Sequence, residues 1–404
     1  MKIKIEKSLL RGEITAPPSK SMAHRLLICA GLSEGESIIN NIAFSEDILA
    51  TLDCLKEMGA DIEAGESTVK IKGVSPLNIT ESKSFSARES GSTLRFFIPL
   101  ALLSGWEHCF TGYGRLMERP MEVYENLCAE KGLYFSRSDG KIKVKGKLTS
   151  GEYTVKGDVS SQFISGLLFS LPLCEEDSRI HLTGKIESRG YIDMTLSAMS
   201  SFGVKSFWED DNTLYIKGSQ KYIEGDFDVE ADCSNAAFPD AFNYLGSEVR
   251  VKGLNENTIQ GDRAYKEYFK ALSDGSPTLD VSDCPDLAPI LMTLSCALNG
   301  AILTGTARLR IKESDRGAVM KKELSEFGAD IDIKDNEIII RKSHLHKAKK
   351  PLCGHNDHRV VMALTVLLSV FGGEIEGAEA VKKSYPDFFE RLSELGLEAK
   401  INDN

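Results

Sequence analysis

The sequence lacks any apolar run long enough to cross a membrane. Its longest run, VVMALTVLLSVF at residues 360–371, is shorter than the roughly 20 residues that a spanning helix needs. It also lacks an excess of basic residues, because the formal net charge is −11 at pH 7, which argues against a general nucleic-acid binder. A local group of cations can still attract an anionic ligand. We therefore expect neither a membrane nor a nucleic acid as partner.

Paired cysteine motifs and low-complexity segments are absent as well. The nine cysteines contain no CxxC, their number is odd, and most stand inside apolar runs. This pattern is typical of reduced thiols that pack as small hydrophobic side chains in the cytoplasm. The opening segment MKIKIEKSLLRG alternates like a strand and lacks the apolar core of a signal peptide. We therefore expect a cytoplasmic protein.

What the chain does contain is organised around Ala16 to Leu27, APPSKSMAHRLL. The two prolines stop any regular element, and the apolar run after them predicts a helix. Lys20, Ser21 and Arg25 stand at the start of this helix, where free N–H groups and the helix dipole attract anions. The stretch predicts half of an anion-binding centre. The alternative is a serine cap followed by solvated basic residues.

The same pattern recurs along the chain. A small polar cluster precedes an apolar helix-like run six times, near residues 16, 88, 157, 230, 282 and 354. An amphipathic stretch ending in glycine follows each run, as is usual after a helix, and alternating segments such as STVKIKGV and NEIIIRKS predict strands. The 404 residues suggest two or three domains. The pattern predicts an α/β protein whose first, apolar helix in each unit is buried between sheets.

Candidate functional residues stand in the loops before these helices. An acid in such a loop can cap a helix or act as a base towards a hydroxyl, and a cation there can belong to a solvated surface network or bind an anion. The candidates are Arg115 in RLMERP, Ser160, Ser161 and Gln162 in DVSSQF, Ser188 and Tyr191 in ESRGYID, Asp286 in SDCPDLAPI, Lys312, Glu313 and Arg316 in RIKESDRG, His358 and Arg359 in HNDHR, and Lys383 in KKSYPDFF.

The histidines of HNDHR make a metal site conceivable. His355, Asp357 and His358 carry suitable ligand atoms, but no third cluster of ligands elsewhere in the sequence supports a site. We therefore expect no metal.

Nine motifs in order resemble those of the 5-enolpyruvylshikimate-3-phosphate synthases. They are PSKSMAHR, SGSTLR, RLMERP, DVSSQF, SRGYID, DCPDLAP, KESDR, NDHR and KSYPDFF, and they cover essentially the whole chain. KESDR followed by NDHR is a specific pair. These enzymes are enolpyruvyl transferases, so the resemblance implies two similar domains, each of three repeated β-α-β-α units, with the active site in the cleft between them. It implies that residues 1–19 and 227–404 form one lobe and residues 20–226 the other.

The resemblance implies a reaction as well. The enzyme would join phosphoenolpyruvate to the 5-hydroxyl of shikimate 3-phosphate and release phosphate through a tetrahedral intermediate, on the way to chorismate and the aromatic amino acids. It implies no metal or organic cofactor, and we expect a monomer. Two polyanions would have to be held together against their repulsion, and guanidiniums bind carboxylate and phosphate in fixed geometry.

The resemblance also assigns residues to each substrate. Shikimate 3-phosphate would meet Lys20, Ser21, Arg25, Ser160, Ser161, Gln162, Ser188, Tyr191, Asp286 and Lys312. Phosphoenolpyruvate would meet Lys20, Gly91, Arg115, Gln162, Arg316, His358, Arg359 and Lys383. Asp286 is the candidate base for the attacking hydroxyl. Glu313 and Lys20 are both candidates for the proton that goes on and off the methylene carbon.

Two departures from the family pattern stand out. Glu89 and Ser90 replace an Asn-Ala pair that many members have, and Arg308 replaces an asparagine. The first departure puts in doubt the response to glyphosate, the phosphoenolpyruvate-like inhibitor of the family. The second leaves one shikimate contact unassigned.

Three other functions compete with this interpretation. The sister transferases that act on UDP-N-acetylglucosamine have Lys-Asn at Lys20 and Ser21, and usually a cysteine in the loop that here reads GYGRLMERP. Both differences favour shikimate 3-phosphate as the acceptor. A non-catalytic anion-binding protein and a structural repeat scaffold are the remaining alternatives.

Overall fold

The computed structural model describes residues 1–402 of the chain. By its internal contacts the chain divides into two compact units, which we name the central unit and the terminal unit. The central unit is Pro18–Glu230, and the terminal unit combines Met1–Pro17 with the chain from Ala231 onward. The lobes predicted from the family resemblance change over at residues 20 and 227. No helix of the described part is long and apolar enough to cross a membrane.

The described residues form α-helices and short β-strands in alternation. The helices are α1 (Lys20–Leu32), α2 (Glu46–Met58), α3 (Gly91–Ala101), α4 (Glu122–Glu130), α5 (Ser161–Ser170), α6 (Arg189–Ser201), α7 (Cys233–Ala241), α8 (Tyr265–Asp274), α9 (Ala288–Ala297), α10 (Arg316–Ser325), α11 (His358–Phe371) and α12 (Phe388–Glu394). The strands are β1 (Lys2–Ile5), β2 (Arg11–Thr15), β3 (Glu36–Asn40), β4 (Asp61–Ala64), β5 (Thr68–Lys72), β6 (Ser84–Ser86), β7 (His108–Thr111), β8 (Tyr134–Ser138), β9 (Lys141–Lys145), β10 (Gly151–Lys156), β11 (Ser178–Thr183), β12 (Ser206–Trp208), β13 (Thr213–Ile216), β14 (Asp226–Asp228), β15 (Glu248–Lys252), β16 (Thr278–Asp280), β17 (Gly300–Thr304), β18 (Asp330–Ile333), β19 (Glu337–Arg341), β20 (Leu352–Cys353), β21 (Gly373–Glu376) and β22 (Ala399–Asn402).

The sheets of the central unit repeat one topology. Their strand orders are β14-β3-β5-β4, β6-β7-β9-β8 and β10-β11-β13-β12, and in each the first pair is parallel and the other two are antiparallel. Ile39 opposite Val69 sets one register, and both side chains are fully buried. Three copies of one sheet confirm that this half of the chain is built from repeated units.

The terminal unit uses the same sheet with variations. The order β16-β17-β19-β18 repeats the pattern of the central unit, β20-β21-β1-β22 recruits the first and last strands of the chain, and β15 pairs with β2 alone. The segments STVKIKGV and NEIIIRKS form β5 and β19, as their alternation predicts. The prediction of an α/β fold is confirmed.

The first helix of each repeat is buried, as its apolar sequence predicts. In α1 every residue from Met22 to Leu32 is buried, and in α11 every residue from His358 to Ser369. Each unit has its own cluster of buried hydrophobic residues, and fully burying one such side chain contributes roughly 1.5–3 kcal/mol. The amphipathic second helices, such as α2 and α8, bury only one side.

Short polar side chains start most of the buried helices. Ser19, Ser90 and Ser160 cap α1, α3 and α5, and each hydroxyl accepts a hydrogen bond from a backbone N–H of the first turn. Asp232 and Asp357 do the same for α7 and α11. Caps of this kind satisfy donors that a helix leaves unpaired. They fix where the helix N-termini, and the candidate residues beside them, lie.

Candidate functional site

Lys20 is the first residue of α1 and is already paired. Its Nζ lies 2.7 Å from Oδ2 of Asp47, in the first turn of α2, and both side chains are largely buried. Asp47 is absent from the sequence-based assignment, because nothing in its local sequence indicates a partner 27 residues away. A carboxylate of α2 therefore pairs with the cation that the sequence assigns to both substrates.

Arg25, one turn further along α1, is held differently. Its Nε donates to Oγ1 of Thr195 at 2.8 Å, and its two terminal nitrogens donate to the carbonyls of Ser21 at 2.6 Å and Tyr191 at 2.8 Å. The residue is only 3% exposed, and no carboxylate of the described chain forms an ion pair with it. Burial lowers the pKa of Arg25 to about 10, so it is still a cation at neutral pH. Its charge is therefore fixed in place without being neutralised.

The start of α5 brings three predicted residues close to α6. Ser160 caps the helix and accepts from the N–H of Gln162 at 3.3 Å, and Ser161 is its first residue. Ser188 stands just before α6 with a left-handed φ of 59°, a strained conformation for a residue other than glycine. Oγ of Ser165 shares a 2.8 Å hydrogen bond with Oγ1 of Thr195, which ties α5 to α6.

Gly91 and Gln162 meet two buried guanidiniums. Oε1 of Gln162 accepts from Nη1 of Arg95 at 2.6 Å, and its Nε2 donates to Ser92 at 2.9 Å. A Cβ at Gly91 would lie 2.6 Å from Nη1 of Arg119 and 3.0 Å from Nη1 of Arg95, so both guanidiniums lie close to the backbone at this glycine. Both arginines stand inside quoted motifs, SGSTLR and RLMERP, yet the sequence-based assignment omits them.

Arg115, from the same RLMERP loop, lies elsewhere. Its side chain is 57% exposed, and its Nε lies 3.9 Å from Glu118, three residues on. The structure therefore places Arg119, rather than Arg115, against Gly91. The assignment of Arg115 to phosphoenolpyruvate stays a prediction.

In the terminal unit the candidates converge on Arg316. Its guanidinium pairs with Oδ1 of Asp286 at 2.7 Å, with Oε2 of Glu313 at 2.7 Å and with Oδ2 of Asp357 at 2.9 Å, and its side chain is 2% exposed. Burial alone would lower the pKa of Arg316, but the three carboxylates hold it well above its usual value. The group is thus a permanent cation neutralised by three acids.

Asp286 sits in the short turn Pro285–Leu287 before α9 and faces three cations. Besides Arg316, Nζ of Lys312 lies 3.4 Å from its Oδ1 and Nη2 of Arg359 lies 3.3 Å from its Oδ2. Burial alone would raise the pKa of Asp286, yet the three cations together hold that pKa well below the usual range. The carboxylate is therefore ionised and, without ligand, a weak base.

The remaining candidates lie around the start of α11. Arg359 also donates to Oδ1 of Asn235 at 3.0 Å, and Nζ of Lys383 donates to the carbonyl of Asn356 at 2.8 Å. His358 is the first residue of α11 and is buried. Arg308 is buried too and donates to the carbonyl of Ser282 at 2.6 Å. In the described chain, no three histidine, cysteine or acidic residues are grouped so that they could hold a metal ion.

Known proteins resemble this chain in both sequence and fold. The chain matches the family described as EPSP synthase (3-phosphoshikimate 1-carboxyvinyltransferase) over residues 5–392. The 3-phosphoshikimate 1-carboxyvinyltransferases of Clostridium kluyveri and Clostridium novyi are each 41% identical to it, over 98% of this chain and 97% of theirs. A solved EPSP synthase of Acinetobacter baumannii superimposes with a TM-score of 0.80 at 22% identity, covering 100% of both chains.

The repeated sheets, the buried capped helices and this superposition define the enolpyruvyl transferase fold. Because the family match and the relatives span nearly the whole chain, the chain belongs to the EPSP synthase family. The family and the fold class predicted from the motifs are confirmed.

Proposed function

We propose that this chain transfers the enolpyruvyl group of phosphoenolpyruvate to the 5-hydroxyl of shikimate 3-phosphate and releases inorganic phosphate. The observation that carries this proposal is the 41% identity, over 98% of the chain, to relatives named for that activity. The product would feed the pathway to chorismate and the aromatic amino acids. Each unit has one charge cluster that would bind a substrate.

Shikimate 3-phosphate would bind the central unit through its phosphate. A phosphate dianion is attracted to a cation that no carboxylate neutralises, and Arg25 is such a cation. Ser160 and Ser161, at the N-terminus of α5, add hydroxyl and backbone N–H donors of the kind that bind phosphate. Ser188, in its strained position before α6, would complete the phosphate site.

Phosphoenolpyruvate would bind the arginines of the terminal unit. Arg316 and Arg359 both pair with Asp286, and guanidiniums bind carboxylate and phosphate groups with two parallel hydrogen bonds. An incoming phosphoenolpyruvate would therefore take these arginines from Asp286, with Lys383 and His358 adjacent. Gly91 and Gln162 would contact the same ligand, and we add Arg95 and Arg119 on the strength of their contacts there.

Binding of phosphoenolpyruvate would also change Asp286. Two of the three cations that hold its pKa low, Arg316 and Arg359, are those that the ligand would recruit, so the carboxylate would become a stronger base with the ligand in place. It would take the proton of the 5-hydroxyl as that oxygen forms a bond with C2 of phosphoenolpyruvate. Holding the two substrates in register can contribute roughly 7–11 kcal/mol towards the barrier.

The methylene carbon gains a proton in this addition and loses one in the elimination that expels phosphate. Glu313, 2.7 Å from Arg316, and Lys20, 2.7 Å from Asp47, are the two candidates for that proton. Each of them pairs with an oppositely charged neighbour.

We also propose a cytoplasmic monomer. All nine cysteines are free, in keeping with a reducing compartment. Both clusters draw their residues from one chain, so a second copy is not needed to complete them. Light scattering on the purified protein would test the monomeric state.

The test is a phosphate-release assay of the purified protein with phosphoenolpyruvate and each acceptor in turn. We expect release with shikimate 3-phosphate and only background with UDP-N-acetylglucosamine or with phosphoenolpyruvate alone. Activity with the nucleotide sugar alone would make the chain the sister transferase. Calorimetric binding of shikimate 3-phosphate without any release would make it a binding protein, and no binding at all would favour a structural scaffold.

A further inference from the structure

Two consecutive residues before α11 have a strained backbone. His355 and Asn356 have φ values of 49° and 54°, in the left-handed region that residues other than glycine seldom adopt. Such a conformation persists only when its surroundings hold it, and it often marks a functional site. The turn is followed directly by Asp357, the cap of α11, and by Arg359.

Glu323 holds this turn from the neighbouring helix α10. Its Oε1 accepts a hydrogen bond from Nε2 of His355 at 2.8 Å, and its Oε2 accepts one from the backbone N–H of Cys353 at 3.0 Å. Glu323 is 3% exposed, so water competes little for these bonds, which are stronger in a low-dielectric interior. One buried carboxylate thus joins α10 to both sides of Gly354.

The same helix holds the loop a second time at its other end. There Arg316 pairs with Asp357 at 2.9 Å. On the far side of the strained turn, Nζ of Lys383 donates to the carbonyl of Asn356 at 2.8 Å. The turn therefore joins two of the cations proposed for phosphoenolpyruvate, Arg359 and Lys383, and its shape sets where each of them lies.

We propose that Glu323 is a positioning residue for phosphoenolpyruvate. It touches neither substrate. It holds the His355–Asn356 turn in its strained form and so keeps Arg359 and Lys383 aligned for the same ligand. This role rests on the proposed function. Because a displacement of about 1 Å can cost up to about 100-fold in rate, loss of this hold should be measurable.

The chain provides a matched control at the end of the same helix. Glu326, three residues on, makes its ion pair with Lys350 at 2.9 Å and not with a residue of the His355–Asn356 turn. Glu326→Gln removes a carboxylate of the same type from the same helix end. It therefore separates the loss of charge on α10 from the loss of the hold on His355.

The experiment compares wild-type protein with Glu323→Ala, Glu323→Gln and Glu326→Gln, measuring kcat, both KM values and the melting temperature. We expect Glu323→Ala to raise KM for phosphoenolpyruvate about tenfold or more, with KM for shikimate 3-phosphate within about twofold of wild type. Glu323→Gln keeps one acceptor oxygen and should fall between Ala and wild type. Glu326→Gln should match wild type. A purely structural role would lower the melting temperature without separating the two KM values.

Equal changes in both KM values, or a wild-type KM for phosphoenolpyruvate in Glu323→Ala and Glu323→Gln, would overturn the positioning role. If Glu323→Ala does not fold, the isosteric Glu323→Gln carries the test. A wild-type protein that releases no phosphate with both substrates would instead refute the proposed function, and the positioning role with it. An active wild type with unaffected Glu323 variants refutes the positioning role alone.

Discussion

The central and the terminal unit hold their buried arginines in opposite ways. Arg25 of the central unit is held by a hydroxyl and two backbone carbonyls, whereas Arg316 of the terminal unit is surrounded by three carboxylates. Both side chains are almost fully buried. No carboxylate of the described chain neutralises the charge of Arg25. Three carboxylates neutralise the charge of Arg316.

Two buried networks, one in each unit, also differ in charge. In the central unit a neutral chain of hydrogen bonds joins three helices, from His24 to Thr51 at 2.7 Å and from Thr51 through Thr93 to Ser90 at 2.8 Å each. Burial holds the pKa of His24 well below its usual value, so the ring is neutral. In the terminal unit, the ion pairs of Arg316 join the start of α10 to Asp286 before α9 and to Asp357 before α11. We infer that the terminal unit is the more sensitive of the two to loss of a single charge.

The largest effect is expected for Arg316→Gln. The change removes the guanidinium that pairs with the fully buried Asp357 and one of the three cations that face Asp286, and breaking a buried pair costs roughly 3–5 kcal/mol. Urea unfolding followed by circular dichroism would measure it. The control is Arg341→Gln, which removes an exposed arginine that also has two carboxylate partners and should leave the stability close to that of the wild type, because exposed ion pairs contribute little. Equal losses in the two variants would contradict the contrast between the units.

Next in size is the loss of turnover in Asp286→Asn. A proton-transfer group contributes about 100-fold or more to the rate, so phosphate release should fall by at least that factor, and Lys20→Ala should lose a similar amount. Steady-state assays with both substrates measure the rate. Near-normal turnover in both variants would exclude the roles proposed for these two residues.

Arg25→Gln should weaken the binding of shikimate 3-phosphate while affecting stability less than Arg316→Gln does. It removes a cation that leaves no carboxylate behind, and hydrogen bonds to a charged group contribute about 1.5–3 kcal/mol, or roughly 10- to 100-fold in affinity. Calorimetry measures the affinity. Arg179→Gln, an exposed arginine of the same unit paired with Glu209 at 2.7 Å, is the control and should bind normally. Unchanged affinity in Arg25→Gln would remove Arg25 from the phosphate site.

Thr51→Val tests the neutral chain of the central unit. The valine keeps the shape of threonine but leaves Nδ1 of His24 and Oγ1 of Thr93 without that hydroxyl, and a buried unsatisfied group costs about 1–3 kcal/mol. Urea unfolding should show a loss in this range. A loss as large as that of Arg316→Gln would show that the neutral chain is as sensitive as the ion-pair network.

The smallest expected effect is a loss of stability that appears only at acidic pH. Because the folded-state pKa of Asp286 lies below its usual value, its ion pairs stabilise the fold fully above the unfolded pKa of about 3.9. That stabilisation is lost as the pH falls through the lower folded value. Wild-type protein should therefore lose more stability than Asp286→Asn does between about pH 4 and pH 2, followed by fluorescence at fixed urea. Parallel acid profiles would contradict the assigned direction of the pKa shift.

The sequence predicted the fold because the relevant signals are local. A polar cap before an apolar run, and a glycine after an amphipathic one, report helix ends within a few residues, and the structure has helices at all six repeats. Of the candidate site residues, Asp286 pairs with Lys312, Arg316 and Arg359, and Glu313 pairs with Arg316. The roles assigned to these residues remain predictions.

The contacts that the sequence did not predict share one cause. Asp47 on Lys20, Arg119 rather than Arg115 against Gly91, and Glu323 on His355 are contacts between residues far apart in the chain. No periodicity or cap signal reports which of two arginines in one loop turns inward. The signal that could have identified Arg95 and Arg119 was their place inside the family motifs.

The sequence by itself determined the repeated α/β architecture, the family and the pool of charged residues from which a site could be made. Only the tertiary structure decided which of those charges are neutralised, because ion pairing depends on distances of a few ångström between distant segments and on burial away from water. The contrast between Arg25 and Arg316 therefore depends on the tertiary structure, although both residues can be identified in the sequence.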